Sequence, residues 1–402
     1  MTTLSIVIPA YNEEKGIAEI VHRVLAVQGD LAKAHVELSE LLVVDDGSRD
    51  RTAEITQEIS AEDPCVKLVR HAKNKGYGAA LKTGFSRAQG DLIGFLDADG
   101  TYPPEYFPAL CLSALDGNDL VVGSRMAGAE SKMPVTRRVG NLFFAGLLSL
   151  LSKQHISDSA SGMRVFKRQA LEAIYPLPDG LNLTPVMSAR AAHEGIKMVE
   201  VPIPYSERIG RSKLSVFRDG SIFLRSITWT VLSYNPVSVL GYFGLGGIGL
   251  AALVGLGLII ARLSGVTTIG PWGVFALYWA MISGVAGISI FALGATFNYL
   301  VSLFYKRPIR QGLFGRQIFH PSIDHHFGWM GLVGMFVGIV LAVVTLVLGL
   351  QGWDIARLWL YLSGSAMFIL IGIQLVIYWL LMRVLEDLSQ RDSMVEKDLL
   401  AA

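Results

Sequence analysis

Asp97 and Asp99 stand one residue apart directly after the apolar run Leu92–Leu96. Two carboxylates so spaced at a strand end can converge on one hard cation. Mg2+ or Mn2+ takes oxygen ligands, usually one or two carboxylates together with substrate phosphates. An isolated Asp-x-Asp is mostly a turn or a solvated loop; the strand in front, and Pro103-Pro104 opening a helix behind, raise its weight. Asp45-Asp46-Gly47-Ser48 closes a second apolar run, with Asp50 and Thr52 beginning the next helical stretch. One of these carboxylates is a candidate for the base or ribose of a nucleotide, while Ser48 or Asp50 suits a helix N-cap. Pro9-Ala10-Tyr11-Asn12-Glu13 closes a third run. Tyr11 can face a nucleobase and Glu13 can accept from a ribose hydroxyl. The plainer reading of Glu13-Glu14 is a pair of acids in a first helical turn, where the dipole favours them. Two stretches are decoys. Gly78-Ala79-Ala80-Leu81-Lys82-Thr83 has Leu81 where a phosphate loop needs glycine, and Gly76-Tyr77-Gly78-Ala79-Ala80-Leu81 lacks the third glycine of a dinucleotide fingerprint.

Short apolar runs must position these groups. Leu4–Ile8, Leu41–Val44, Val66–Val69, Leu92–Leu96 and Leu120–Gly123 read as strands; Ile17–Val27, Thr52–Ile59 and Ala79–Ala88 between them read as amphipathic helices. The alternation predicts βαβ units on a mainly parallel sheet. Ligands of such sheets sit at the carboxyl ends of the strands. Pro9–Glu13, Asp45–Ser48, Asp97–Asp99 and Ser124-Arg125 all fall there, which argues for one shared site.

The 402 residues carry a net charge of +1, so no global basic signal points to nucleic acid. Cys65 and Cys111 have neither metal-ligand spacing nor the count of a disulfide framework. The chain enters its first strand without a charged leader, which predicts a cytoplasmic first domain. Charge concentrates in residues 1–230, whereas 236–261, 272–304, 328–350 and 358–382 are apolar runs. Each approaches or exceeds the ~20 residues that span a bilayer. Lys306, Arg307, Arg310 and Arg316 follow the second run, against Arg262 and Arg357 after the first and third. The positive-inside rule then places the first domain, the 305–327 loop and the C-terminus in the cytoplasm. Residues 136–153 and 214–234, the latter with Trp229 and Tyr234, mix apolar and basic residues as interfacial helices do, surface helices packed on the core being the alternative. His155, His320, His325 and His326 read as solvated loop histidines. The expected organisation is a domain over 1–213, a juxtamembrane helix over 214–234, four spans within 235–385 and a tail over 386–402.

Val7-Ile8-Pro9-Ala10-Tyr11-Asn12-Glu13, Val43-Val44-Asp45-Asp46-Gly47-Ser48, Asp97-Ala98-Asp99 and Gly123-Ser124-Arg125 together resemble the inverting family 2 glycosyltransferases of the GT-A fold. Within that family the chain is most similar to the polyprenyl-phosphate sugar synthases, the dolichyl-phosphate mannose synthase-like group. The further matches are Asn74-x-Gly76-x-Gly78, Asp158-x-x-Ser161-Gly162-Met163-Arg164 and Arg208-x-Gly210-x-Ser212-Lys213. The resemblance covers residues 3–215 and implies a Rossmann-like α/β domain, followed here by the four-span helical membrane domain. It implies inverting transfer of a hexose from a nucleotide-diphosphate sugar, of the GDP-mannose or UDP-glucose type, to undecaprenyl or dolichyl phosphate at the plasma membrane. Donor binding then falls to Pro9, Tyr11, Glu13, Val44, Asp46, Asp97 and Ala98, and the metal to Asp97 and Asp99. Asp99, Arg125, Arg208 and Lys213 are the catalytic candidates, the cations offsetting charge on the leaving diphosphate. Arg137, Arg138, Ser161, Arg164 and Ser212 are the candidates for the acceptor phosphate. Thr101 stands where many mannose enzymes carry a metal-binding Gln, so glucose or another hexose is as open as mannose.

A phosphate monoester has a second pKa of about 6, so such an acceptor is already ionised near neutral pH and needs no strong base. A diacylglycerol or ceramide hydroxyl would need one, and no further Asp or Glu stands out for it. A transporter with a regulatory domain would place ionisable groups or breaks within its spans, which carry almost none. A processive polysaccharide synthase would carry Gln-x-x-Arg-Trp, which is absent. The oligomeric state stays open.

Overall fold

The computed structural model describes residues 1–126, 133–152, 154–206, 216–305 and 323–395. The chain divides into two compact units, Met1–Val231 and Leu232–Ala402.

The first unit is built on strands β1 (Thr2–Ala10), β2 (Val36–Asp45), β3 (Val66–Arg70), β4 (Leu92–Phe95), β5 (Leu120–Ser124), β6 (Arg164–Lys167) and β7 (Met198–Pro202), in the spatial order β3-β2-β1-β4-β6-β5-β7. Every pairing is parallel except those of β6 with β4 and β5. All five expected strands are present; β6 and β7 are additional. The helices are α1 (Ile17–Ala26), α2 (Gln28–Lys33), α3 (Thr52–Glu62), α4 (Tyr77–Arg87), α5 (Phe107–Leu115), α6 (Val135–Ser152), α7 (Arg168–Ala173), α8 (Leu183–Glu194) and α9 (Val216–Tyr234). The first unit takes in α9 as far as Val231, so most of the expected juxtamembrane helix belongs to it.

Strand alternation sorts the core onto the two sheet faces. Leu4, Ile6 and Ile8 of β1 pack with Ile17, Ile20, Val21 and Val24, the buried stripe of α1. Val7 points the other way, among Leu42, Val44 and the α4 residues Ala80, Leu81 and Phe85. Each fully buried side chain of this size is worth about 1.5–3 kcal/mol.

Two loops at the carboxyl edge are sewn together. Asn12 adopts a left-handed φ of 52°. Its backbone N–H donates to Ser48 Oγ at 2.9 Å, and its side-chain oxygen accepts from the Arg49 N–H at 2.8 Å. Glu13 N–H donates to Thr52 Oγ1 at 2.9 Å. Arg51 holds the N-cap position of α3 without a side-chain bond. Ser48 therefore ties loops together instead of capping the helix, and Asp50 accepts from the Thr52 N–H one step inside it.

The second unit holds α10 (Pro236–Leu263), α11 (Pro271–Tyr305), α12 (Phe327–Leu350) and α13 (Trp359–Val395). Among the described residues these four helices are long and apolar enough to cross a membrane. α13 runs past the expected end of the last span, so the tail begins as helix. Lys306, Arg307, Arg310, Arg316 and His320 lie outside the described residues. His325 is less solvated than the sequence implied: its ring nitrogens lie 3.6 Å from Asp324 and 4.0 Å from Glu386, beside Arg383. Glycines join the helices in pairs. A Cβ on Gly287 would fall 2.7 Å from the Gly244 carbonyl oxygen, and one on Gly372 would fall 2.6 Å from that of Gly331. Small residues of this kind allow backbones to touch where lipid supplies no hydrophobic drive for association. Gly372→Val is expected to part α12 from α13 and cost about 1–3 kcal/mol, as overpacking does. The check is the thermal melt of the full chain in detergent; an unmoved midpoint would contradict this packing.

Candidate active site

The carboxyl ends of β1, β2 and β4 open on one cavity of about 490 Å³, inside the size range of small-ligand sites. Pro9, Tyr11, Glu13, Asp46, Asp97, Ala98, Asp99, Arg125 and Arg137 all line it. The acidic groups from separate parts of the chain therefore meet.

Asp97 and Asp99 are each oriented by a neighbour. The Tyr77 hydroxyl donates to Asp97 Oδ1 at 2.7 Å. Burial and the adjacent Asp97 charge drive the Tyr77 phenol well above its ordinary value, so it remains the donor. Thr101 donates to Asp99 Oδ1 through its backbone N–H at 3.2 Å and its hydroxyl at 2.6 Å. Thr101 is itself buried and absent from the cavity wall, so it supports Asp99 from behind. Behind Asp97 lies Gly162, where a Cβ would sit 2.7 Å from the carboxylate carbon. Gly162→Ala must displace that carboxylate. Turnover is expected to fall roughly tenfold to a hundredfold, since displacements near 1 Å have that effect. Steady-state kinetics on a variant with an unchanged melt provides the check; wild-type turnover would contradict the placement.

Arg125, at the end of β5, is clamped. Its Nε and Nη2 donate to the two oxygens of Asp158 at 2.7 Å each, and its backbone N–H adds a third bond at 3.0 Å. The guanidinium carbon lies 5.7 Å from the centre of the Tyr102 ring and 5.4 Å from that of Tyr205, within cation–π range. Glu200 of β7 accepts from the backbone N–H groups of Ser157 and Asp158, which fixes the turn carrying the clamp.

Gly76 and Gly78 serve close packing. A Cβ on Gly76, whose φ is 104°, would lie 2.6 Å from the Asp179 carbonyl oxygen. Asp179 in turn accepts from the Ala79 N–H, and Lys82 pairs with its side chain at 2.6 Å. The loop before α8 thus lies on the start of α4, and Leu181 joins the cavity wall.

The chain is similar in sequence to known proteins. "Glycosyl transferase family 2" matches residues 5–175, and a domain of unknown function, DUF8752, matches 236–396. The low-salt glycan biosynthesis hexosyltransferase Agl6 of Haloferax volcanii is 33% identical over 299 residues, 73% of this chain and 68% of that protein. This chain belongs to glycosyl transferase family 2. A dolichyl-phosphate hexose transferase of the same organism is 33% identical over 224 residues, 56% of the transferase described here and 92% of its relative. A glucosyl-3-phosphoglycerate synthase of Mycobacterium tuberculosis, solved with Mn2+, UDP and phosphoglyceric acid, aligns with a TM-score of 0.44 at 20% identity, over 58% of this chain and 78% of that one.

Four of the expected site residues of the transferase lie off the cavity wall. Val44 is fully buried in the sheet core. Arg138 is exposed, on α6 beside Arg137, and does not line the cavity. Ser161 is buried and donates to the Gly123 carbonyl at 2.6 Å. Arg164 is also fully buried, giving hydrogen bonds to the carbonyls of Ser161 and Ser159, and burial pulls its guanidinium down to about 10. Ser161 and Arg164 are therefore corrected from phosphate ligands to supports of the 159–164 turn. Arg208, Ser212 and Lys213 lie outside the described residues. Sequence reading passed over Tyr77, Tyr102 and Asp219, all of which line the cavity. Tyr77 had a visible signal, since it sits inside the Asn74-x-Gly76-x-Gly78 motif.

Proposed function

We propose that the transferase moves a hexose, with inversion, from a nucleoside-diphosphate sugar to a polyprenyl phosphate at the cytoplasmic face of the plasma membrane. One observation carries the reading. The cavity that gathers Asp97, Asp99 and Arg125 is also walled by α6 and α9, through Arg137, Phe144, Asp219 and Phe223. These helices expose apolar side chains beside basic ones, with Val139, Leu142 and Phe143 next to Arg138 on α6, and Ile222, Leu224 and Trp229 among Arg218 and Arg225 on α9. Such faces suit an interface, where a lipid keeps its tail in the bilayer and offers only its head. The name of the dolichyl-phosphate hexose transferase supports the same acceptor class.

Asp97 and Asp99 fit a divalent ion by donor chemistry, since two carboxylates beside a diphosphate are what Mg2+ or Mn2+ takes. When bound, the ion would neutralise charge growing on the leaving diphosphate. Tyr77 and Thr101 hold the two carboxylates in place, and Arg125 supplies preorganised positive charge beside them. Arg137, on the cavity wall, is assigned to the acceptor phosphate, with Arg208, Ser212 and Lys213 assigned to phosphate contacts on sequence alone. The acceptor oxygen attacks the anomeric carbon opposite the departing diphosphate, and an ionised phosphate needs no proton removed.

Asp219 favours a second reading. A carboxylate in the cavity wall could act as general base for a lipid hydroxyl. The full chain in detergent, given radiolabelled UDP- and GDP-hexoses with undecaprenyl or dolichyl phosphate, or with diacylglycerol, separates the two. Mild-acid-labile labelled lipid is expected. Label on diacylglycerol alone would overturn the phosphate acceptor.

A further inference from the structure

Three side chains of the first unit form a hydrogen-bonded row. Thr83 lies on α4, His71 follows β3, and Asp46 follows β2. His71 Nε2 is 3.0 Å from Thr83 Oγ1, and Nδ1 is 2.7 Å from Asp46 Oδ1. Hydroxyl, imidazole and carboxylate in that order activate a nucleophile in hydrolases. The cavity decides the direction here. Asp46 lines it, whereas Thr83 and His71 do not. The working end is the carboxylate, and the row behind it is a support.

The support leaves Asp46 little freedom. An ionised carboxylate accepts from Nδ1–H, and Nε2 shares its hydrogen bond with the Thr83 hydroxyl. Asp46 Oδ1 also accepts the Lys75 N–H at 2.8 Å, and Oδ2 accepts the Gly76 N–H at 2.8 Å. Each carboxylate oxygen offers about two lone-pair sites. Oδ1 is thereby saturated, and Oδ2 keeps a single site for a ligand. The Asp46 N–H bonds the Ala10 carbonyl at 2.8 Å, which sets the end of β1 alongside.

We infer that His71 is a positioning residue that fixes Asp46 to read a nucleobase edge presenting one N–H, the imide of a uracil-type base, in preference to the paired N–H donors of guanine. This rests on the reading of the cavity as a nucleoside-diphosphate-sugar site. Guanine's two donors need both oxygens of a carboxylate, and one of them would meet a saturated Oδ1. An N–H left unpaired against buried surface weakens binding by roughly tenfold or more.

The test is calorimetric binding of UDP and GDP, each with Mn2+, to the full chain in detergent, followed by donor kinetics on variants. UDP is expected to bind at least about tenfold tighter than GDP. His71→Ala is expected to raise the donor KM about tenfold with kcat changed much less, because the ring touches neither sugar nor diphosphate. His71→Asn, whose amide N–H can replace Nδ1–H, is expected to restore most of that loss. Thr83→Val leaves the ring bond to Asp46 intact and should shift KM in the same direction by less; it serves if His71→Ala fails to fold. A folded His71→Ala with wild-type KM overturns the positioning role. GDP binding as tight as UDP, with transfer from a GDP-hexose, overturns the base assignment and leaves the transferase reading intact. Binding of neither nucleotide overturns both.

Discussion

Asp99→Asn is expected to lower turnover roughly a thousandfold, the scale on which preorganised charge at a reacting centre acts, while the melting temperature stays where it was. Asparagine retains an oxygen in the Oδ1 position, and the two hydrogen bonds from Thr101 can re-form on it. The contact with Thr101 therefore survives the substitution. The negative charge is lost, and with it the hard ligand that a divalent ion needs beside a diphosphate. Chelation by EDTA should reproduce the loss in the wild type, and added Mn2+ or Mg2+ should reverse it there far more than in the variant. Thr101→Val separates orientation from charge. It removes one of the two Thr101 donors and keeps the carboxylate, so a loss of roughly tenfold is expected. Steady-state turnover against metal concentration reads all three. Full activity of Asp99→Asn at saturating metal would place the chemistry elsewhere.

Strand ends were legible because their chemistry is local. A short apolar run followed at once by Asp45-Asp46 or Asp97-Ala98-Asp99 fixes both the strand and the edge its polar end must face. Those segments do meet at one cavity. β6 was hidden for the opposite reason. Its four residues, Arg, Val, Phe and Lys, show no alternation and are too short a run to separate from a loop, and its antiparallel place between β4 and β5 is set by tertiary pairing alone. That strand is what buries Arg164, so the residue types said phosphate ligand while the topology made it a support. Asp219 was missed likewise: on a helix read as interfacial, an acid looks like a solvated charge, and only the fold turns it to the cavity. His71 gave no signal from spacing, because its partners Asp46 and Thr83 are 25 and 12 residues away.

The clamp on Arg125 predicts losses of stability and activity that different substitutions separate. Asp158 has no exposed side chain, and its partner Arg125 is only 11% exposed. Burial pushes the Asp158 carboxyl up, but the charge and hydrogen bonds of Arg125 outweigh it and hold the group below the usual carboxylate range. A depressed folded pKa stabilises the fold above the unfolded carboxyl value, and that contribution is lost as pH falls through the folded one. Arg125→Ala leaves the carboxylate buried and unpaired, at a cost of about 3–5 kcal/mol. Adding Asp158→Asn removes the stranded charge and should recover part of that stability, though none of the activity. Arg125→Lys keeps the charge and loses the two-pronged geometry. It should stay folded, yet kcat/KM should drop roughly a hundredfold, because an ammonium on a flexible stem between Tyr102 and Tyr205 no longer holds one position. Denaturant melts from pH 7 down into the acid range, set beside kinetics at pH 7, read both effects. If Arg125→Lys kept wild-type kcat/KM, its guanidinium would be a structural element alone and the charge facing the diphosphate would come from another residue.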